Sequence, residues 1–93
     1  MKTFHLVVST PDGTVFDGQA QDLSLRATLG ELAVRAGHIP FVSAIVPGVI
    51  RITTDAGEKR YSCADGILSV DRDTTTLLCS AAKEAQRKKD AFL

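Results

Sequence analysis

Tryptophan is absent from this 93-residue chain, and aromatic residues make up only 5% of it. A surface that binds nucleic acid by stacking needs several exposed rings, so this composition argues against one. A net field of one sign is missing as well, because eleven basic residues balance eleven acidic ones. Without such a field, charge does not draw nucleic acid or an anionic membrane to the chain. We therefore expect no nucleic-acid partner.

Long hydrophobic runs are also missing. A membrane-spanning helix needs about 20 consecutive apolar residues, and no stretch of the sequence approaches that length. The opening residues, MKTFHLVVSTPDG, lack the small-residue cleavage site of a signal peptide. We therefore expect one compact domain that does not insert directly into a membrane.

Cysteine occurs only twice, at Cys63 and Cys79. Their spacing matches no zinc-binding pattern, and neither has a histidine near it in the sequence. Free cysteines usually pack as small apolar side chains. Two buried free thiols are therefore expected, because a disulfide would need an oxidising compartment and nothing in the sequence indicates one.

Catalytic motifs are missing too. The sequence contains no phosphate-binding P-loop, no G-x-G-x-x-G and no G-x-S-x-G. A serine nucleophile also needs a base and an orienting group, yet the two histidines, His5 and His38, lie far apart in the sequence. No third ligand can be named that would join them in a metal site. We therefore predict a protein that is not an enzyme and that holds no cofactor and no metal.

What the sequence does contain is alternation with a period of two. In TFHLVVS, the residues Phe4, Leu6 and Val8 share one face, and AQDLSLRATL alternates in the same way. Turn signals such as PDG, PG and DAG separate these runs roughly every 8–12 residues. This spacing predicts an all-β domain, either a sandwich or a barrel, over residues 1–80.

The composition changes after residue 80. SAAKEAQRKKDAFL is rich in good helix formers, Ser80 is suited to capping a helix N-terminus, and Glu84 precedes Lys88 by four residues. The stretch predicts a short helical tail over residues 81–93. A helix of about three turns is marginal without tertiary support.

The segment HIPFVSAIVPG, residues 38–48, is too apolar for an ordinary solvated loop. Part of it must be a buried strand between its two prolines. The excess of apolar residues predicts a rigid ridge that contacts a partner. A freestanding β-domain that binds some other protein is therefore one hypothesis.

Six short motifs follow one another along residues 4–82. They read HLVVSTPDG, VFDG, GELAVRAGHIPF, VPGVIRI, ADGILSV and TLLCSA. In this order they resemble the epsilon subunit of bacterial F-type ATP synthase, which is called delta in mitochondria. The resemblance implies a flattened β-sandwich of about ten strands, followed here by the short helical stub.

The same resemblance implies a non-catalytic rotor subunit of the central stalk, which couples ion flow to ATP synthesis. One surface would bind the gamma subunit, and through gamma the alpha/beta catalytic assembly. One end would rest on the ring of membrane c subunits. Such a subunit is peripheral, on the cytoplasmic face of the bacterial plasma membrane, and we expect it to be a monomer when isolated.

By resemblance, an acidic segment faces the polar loops of the c ring, and a Gly-His-x-Pro loop lies near gamma. The interface residues implied are Gly30, Glu31, Arg35, Gly37, His38, Ile39, Pro40 and Phe41. The chain departs from the family where AVRA replaces the usual Gly-Ile-Leu-Pro, which introduces Arg35 and changes the charge of the loop.

The family usually continues into a C-terminal helical hairpin, which inhibits ATP hydrolysis and in some members binds ATP. Here AAKEAQRKKDAFL follows Ser80. This sequence is compatible both with a naturally short member of the family and with a shortened form of a longer one. We expect that these residues alone neither inhibit the enzyme by inserting a helix nor bind ATP.

Overall fold

The computed structural model describes residues 2–85, which form ten β-strands. They are β1 (Phe4–Thr10), β2 (Gly13–Ala20), β3 (Asp22–Ala27), β4 (Gly30–Arg35), β5 (Phe41–Ile45), β6 (Gly48–Thr54), β7 (Gly57–Cys63), β8 (Gly66–Val70), β9 (Thr74–Cys79) and β10 (Ala82–Glu84). No segment of residues 2–85 is helical, so this range contains no helix that could cross a membrane. The prediction of an all-β fold with about ten strands is confirmed.

The strands form two layers that face each other. Hydrogen bonds connect them in the order β10-β7-β6-β3-β5-β8-β9-β1-β2, with β4 beside β3. One layer is β4-β3-β6-β7-β10 and the other is β5-β8-β9-β1-β2. The sheet folds over so that β2 returns to the first layer, where the Tyr61 hydroxyl on β7 donates to the Val15 carbonyl on β2 at 3.3 Å. The domain is therefore a sandwich.

Alternation in the strands creates the core between the layers. In β1 the side chains of Phe4, Leu6 and Val8 are buried, as the alternating pattern predicted. The same inward phase in the other strands completes one cluster: Ala20, Leu23, Leu25, Val34, Ile45, Ile50, Ile52, Tyr61, Cys63, Leu68, Val70, Leu77 and Cys79. Removing this apolar surface from water is the main stabilising contribution to a domain of this size.

Both cysteines lie in this core as free thiols, which confirms the prediction for them. Burial, together with the nearby Cys79 thiol, raises the pKa of Cys63 to about 12. Burial also raises the pKa of Cys79. Both groups are therefore neutral at physiological pH and pack as apolar side chains.

Two hairpins close with the same side-chain contacts. In the β1–β2 turn, the Thr10 hydroxyl donates to the Gly13 carbonyl at 3.2 Å and accepts from the Asp12 N–H at 3.1 Å. Thr54 makes the same two bonds in the β6–β7 turn, at 3.0 and 3.1 Å. The motifs TPDG and TDAG thus specify both turns, as such residues commonly do.

A sharp corner carries the chain from one layer to the other. Residues 63–66 run antiparallel to residues 79–82, so the β7–β10 pair continues into the β8–β9 pair. At the corner, the Ser80 N–H donates to the Asp65 carbonyl at 3.1 Å, and the Ser80 hydroxyl donates to the Asp65 carboxylate at 2.9 Å. Ser80 therefore supports this corner and does not cap a helix.

The predicted helix does not begin after Ser80. Ala82–Glu84 instead forms β10, antiparallel to the end of β7, and the Ala85 N–H extends the ladder by donating to the Arg60 carbonyl at 2.9 Å. The helix prediction is wrong for these residues. Their weak local preference for helix is overridden by backbone partners that β7 supplies. The remainder of the predicted helix, residues 86–93, lies outside the described residues.

Candidate functional site

A short loop, residues 36–40, joins β4 to β5 and contains half of the eight predicted contact residues. Gly37 adopts a φ of 85°, a conformation that L side chains rarely adopt, and this lets the chain reverse direction. The His38 N–H then donates to the Arg35 carbonyl at 3.2 Å and closes the turn. The loop therefore has a defined backbone geometry.

The His38 ring is held against its neighbours in this loop. Its centroid lies 4.9 Å from that of the Phe41 ring, with the planes tilted by 47°. Its Nδ1 is 3.0 Å from the Ile39 carbonyl oxygen, so the tautomer protonated at Nδ1 donates there. An aromatic contact and one backbone hydrogen bond fix the orientation of the ring. The arrangement presents the half-buried ring as part of a surface.

Arg35, at the end of β4, connects the loop to the sheet. Its Nε donates to the Asp22 carboxylate at 2.8 Å, and the two residues are directly opposite each other on β4 and β3. The Arg35 side chain is largely exposed, so this ion pair adds little stability. Its effect is to keep the guanidinium beside β3.

Gly30 and Glu31 lie at the opposite end of β4 from this loop. They follow the two-residue turn of the β3–β4 hairpin, where Leu29 is fully exposed. Glu31 is exposed and lies opposite Arg26 on β3. The structure therefore brings Arg35 together with the loop and Phe41 but places Gly30 and Glu31 at a second location. The resemblance implies two separate contact sites, and two such sites must lie apart on the surface of the domain.

An apolar patch covers the outer face of the second layer, next to the loop. We call it the apolar face and define it by Val42, Ala44, Ile67 and Leu78. Ala44 on β5 is opposite Ile67 on β8, which is opposite Leu78 on β9. Val42, Ile67 and Leu78 are 70%, 53% and 55% exposed. Three neighbouring strands thus present apolar side chains to solvent, with Ala44, Ile67 and Leu78 in register and Val42 two residues from Ala44 on β5.

Two residues of the apolar face, Ile67 and Leu78, were not among the predicted contacts, although the sequence contains a signal for both. In ILSV, Ile67 is out of phase with Leu68 and Val70, so it must point away from the core. In TTTLLC, two adjacent leucines cannot both point inward, and Leu77 is the buried one. What the sequence does not indicate is that the two exposed side chains lie side by side.

Together, the fold and these surfaces define a β-sandwich domain with two distinctive surface features. They are the ordered loop at residues 36–40 and the exposed apolar face. Residues 3–85 match the family described as "ATP synthase, Delta/Epsilon chain, beta-sandwich domain". The match covers most of the chain, so the chain belongs to this family. The resemblance drawn from the six motifs is thereby confirmed.

Curated relatives agree with this assignment. The ATP synthase epsilon chain of Priestia megaterium is 37% identical over 86 residues, which cover 92% of this chain and 64% of the relative. The epsilon chain of Bacillus subtilis is 35% identical over 86 residues, covering 92% of this chain and 65% of the relative. The chain thus spans slightly less than two thirds of the length of these relatives.

Solved structures share the fold. A chain in the cryo-EM structure of the Euglena gracilis mitochondrial ATP synthase (OSCP/F1/c-ring in rotational state 1) superposes with a TM-score of 0.82 at 20% identity, over 88% of this chain and 53% of that one. A chain in the Tetrahymena thermophila mitochondrial ATP synthase structure (central stalk/c-ring) gives a TM-score of 0.76 at 10% identity, over 99% of this chain and 75% of that one. At these identities, the likeness concerns the fold.

Proposed function

We propose that the chain is the β-sandwich part of an epsilon subunit in the central stalk of an F-type ATP synthase. In this role it makes and breaks no bond. It transmits rotation as a rigid body between the gamma subunit and the ring of c subunits, and so couples ion flow to ATP synthesis. It is held at the cytoplasmic face of the bacterial plasma membrane by these partners. Family membership and the two separated contact sites support this proposal.

The observation that carries the proposal is the apolar face beside the loop at residues 36–40. Contiguous exposed apolar side chains on a small soluble domain are typical of protein interfaces. Val42, Ile67 and Leu78 come from three paired strands, so the patch is rigid and loses little conformational freedom on binding. His38 and Ile39 border it through the start of β5. We assign this combined surface to gamma.

The second contact site is the end of the β3–β4 hairpin. Glu31 and the fully exposed Leu29 project there beyond the sheet pairing with β6. An exposed carboxylate next to a two-residue hairpin turn is well placed to meet a cation on a polar loop. We assign this end to the c ring.

The gamma assignment is tested by a charge placed in the apolar face. Ile67→Glu puts a carboxylate in the centre of the patch, and burying it against a partner requires desolvation. Ala56→Glu is the control, because Ala56 is an exposed apolar residue in the β6–β7 turn, on the other layer. Binding of each variant to an alpha/beta/gamma assembly is measured by co-purification and surface plasmon resonance. We expect Ile67→Glu to weaken binding at least about tenfold and Ala56→Glu to leave it unchanged.

Two results would count against this proposal. If both variants bind like the parent, the apolar face does not contact gamma. If the parent itself does not associate with the assembly, the chain is a freestanding β-sandwich module that binds another protein. Circular dichroism of both variants distinguishes loss of binding from loss of fold.

The ring assignment is tested at Glu31. Glu31→Lys reverses the charge at the end of the β3–β4 hairpin, whereas Asp55→Lys makes the same change at the tip of the β6–β7 hairpin. In a reconstituted membrane-bound complex, ATP-driven ion pumping is compared with ATP hydrolysis. We expect Glu31→Lys to lower the ratio of pumping to hydrolysis and Asp55→Lys to leave it unchanged. An unchanged ratio in Glu31→Lys would remove Glu31 from the contact.

A further inference from the structure

Strand β3 changes its neighbour along one edge. Its first half pairs with β6, and the last matched pair is Ser24 opposite Arg51. Its end pairs with β5, where Ala27 is opposite Ile45. Between these two pairings, β3 and β6 separate and leave a cleft of about 250 Å³ in the outer surface of the first layer. Side chains from β3, β4 and β6 line it.

Two guanidinium groups flank this cleft. Arg26 on β3 and Arg51 on β6 both line it and both are exposed. None of the salt bridges formed within residues 2–85 includes either of them. Glu31 also lines the cleft and is opposite Arg26 on the ladder, but it does not come within salt-bridge distance. The planar donors of both arginines are thus available to an acceptor between the strands.

The position of Arg51 is unfavourable in the isolated domain. It lies directly opposite Arg60 in the β6–β7 ladder, and like charges in this position destabilise a sheet. Arg60 offsets its own charge by donating to Glu58 at 2.8 Å. Arg51 has no such partner in the described part of the chain. The repulsion lowers the stability of the isolated domain, and such a placement is expected where a residue makes a contact with another molecule.

Size and charge together restrict what the cleft can hold. At about 250 Å³ it is below the roughly 300–1,000 Å³ typical of small-molecule pockets, so it fits a side chain rather than a nucleotide. Two arginines and one glutamate give its lining a formal charge of +1, which matches a carboxylate better than a phosphate dianion. Val49, half exposed at the rim, offers an apolar wall for a methylene stem.

We propose that the β3–β6 cleft binds the carboxylate of a glutamate or aspartate side chain from a partner protein, gripped between Arg26 and Arg51. Guanidinium groups bind carboxylates through paired, charge-assisted hydrogen bonds, and this geometry gives the site its specificity. The occupant is therefore an acidic segment of a polypeptide. The cleft is a recognition site distinct from both the apolar face and the loop at residues 36–40.

The test uses the free chain and three probes. The peptides acetyl-Ala-Glu-Ala-amide and acetyl-Ala-Gln-Ala-amide differ only in one carboxylate, and inorganic phosphate reports a preference for phosphate groups. Each is titrated while the Nε–Hε signals of the arginines are followed by ¹⁵N NMR. We expect saturable shifts at Arg26 and Arg51 with the Glu peptide, about tenfold weaker binding of the Gln peptide, and weaker binding of phosphate.

Variants distinguish a specific binding site from a general attraction of the acidic peptide to positive charge. Arg26→Gln and Arg51→Gln should each weaken binding of the Glu peptide about tenfold. Arg72→Gln is the control, because Arg72 is exposed in the β8–β9 turn and lies outside the cleft. Equal weakening in all three variants, equal binding of the Glu and Gln peptides, or tighter binding of phosphate would each overturn the proposal. Since the free chain suffices, the result does not depend on the proposed rotor function.

Discussion

Gly66 shows how a single residue controls the corner between the layers. It is the first residue of β8 and lies opposite Cys79. A Cβ atom at Gly66 would overlap the Leu78 carbonyl oxygen and come within 3.0 Å of the Cys79 Cα. These are backbone atoms held in a ladder, so they cannot move aside cheaply. Glycine is therefore needed at this position for the close approach of two backbones.

Substituting Gly66 by alanine is therefore expected to destabilise the domain. Overpacking of this kind typically costs about 1–3 kcal/mol in the free energy of unfolding. Gly48→Ala is the matched control, because Gly48 also begins a strand but an added Cβ there meets nothing within 4 Å. Urea denaturation of both variants measures the difference. Equal midpoints for Gly66→Ala and Gly48→Ala would show that the corner relaxes freely.

At the scale of elements, the structure of β10 is decided by pairing with a distant strand and not by the local preference of its residues for helix. Ala82, Lys83 and Glu84 are compatible with helix, yet they pair with residues 61–63 of β7. The Ala64 N–H donates to the Ala81 carbonyl at 2.9 Å just before this pairing begins. Without β10, the outer edge of β7 would expose a row of unpaired backbone groups, which is a liability for association. The strand covers that edge.

Proline substitutions test the register of β10. In an antiparallel ladder, every second pair of opposed residues is joined by backbone hydrogen bonds. The Ala81 carbonyl accepts such a bond from the residue that follows β7, and the Ala85 N–H donates one to β7. Lys83 lies midway between these two residues, so it is hydrogen-bonded to Ser62, the residue opposite it. Lys83→Pro should remove this bond, lower stability by about 1 kcal/mol or more, and speed amide exchange at Ser62. Glu84→Pro should be mild, since the Glu84 N–H points to the free edge. Similar effects of both prolines would mean that the register is wrong.

At the scale of the whole molecule, several ionisable groups are enclosed in one core. Tyr61, Cys63 and Cys79 are all buried. The pKa of Tyr61 is raised by burial and by the neighbouring Glu84 and Cys63. The pKa of Cys63 is raised to about 12 and that of Cys79 is also raised, in both cases chiefly by burial. All three shifts favour the neutral form in the folded state.

Stability should consequently fall in alkaline solution. Above its ordinary pKa near 9, the Cys63 thiol of the unfolded chain loses its proton, while the folded chain keeps it up to about 12. The unfolded state then binds fewer protons, so the free energy of unfolding decreases as pH rises through this window. Tyr61 and Cys79 add to the decrease in the same direction. Below about pH 8 these groups contribute no pH dependence.

The measurement is urea denaturation under reducing conditions between about pH 8.5 and 10.5. Cys63→Ala removes one of the three groups, so its unfolding free energy should decline less steeply with pH than that of the parent. The slopes are compared, because the substitution also changes packing at every pH. A flat profile for the parent, or identical slopes for both proteins, would contradict the burial of a titrating Cys63.

Local patterns predicted much of this fold. The period-two alternation of Phe4, Leu6 and Val8 gives their burial directly, because side chains of a strand alternate between faces. The turn motifs TPDG and TDAG predict their hairpins because threonine and glycine satisfy the backbone of a tight turn within four residues. The contact roles of Glu31 and His38 remain predictions, and the ion-pumping experiment addresses that of Glu31.

The sequence by itself thus determined most of the strands before residue 80, the phase of their buried side chains and the family, since each depends on residues close together in the chain or on motifs in a fixed order. Only the tertiary structure decided which distant strands meet. The pairing of β5, β8 and β9 sets Ala44, Ile67 and Leu78 side by side. The change of neighbour along β3 opens the cleft between Arg26 and Arg51. Such neighbours depend on which pairings bury the most apolar surface in a single core, a property of the whole chain rather than of any segment.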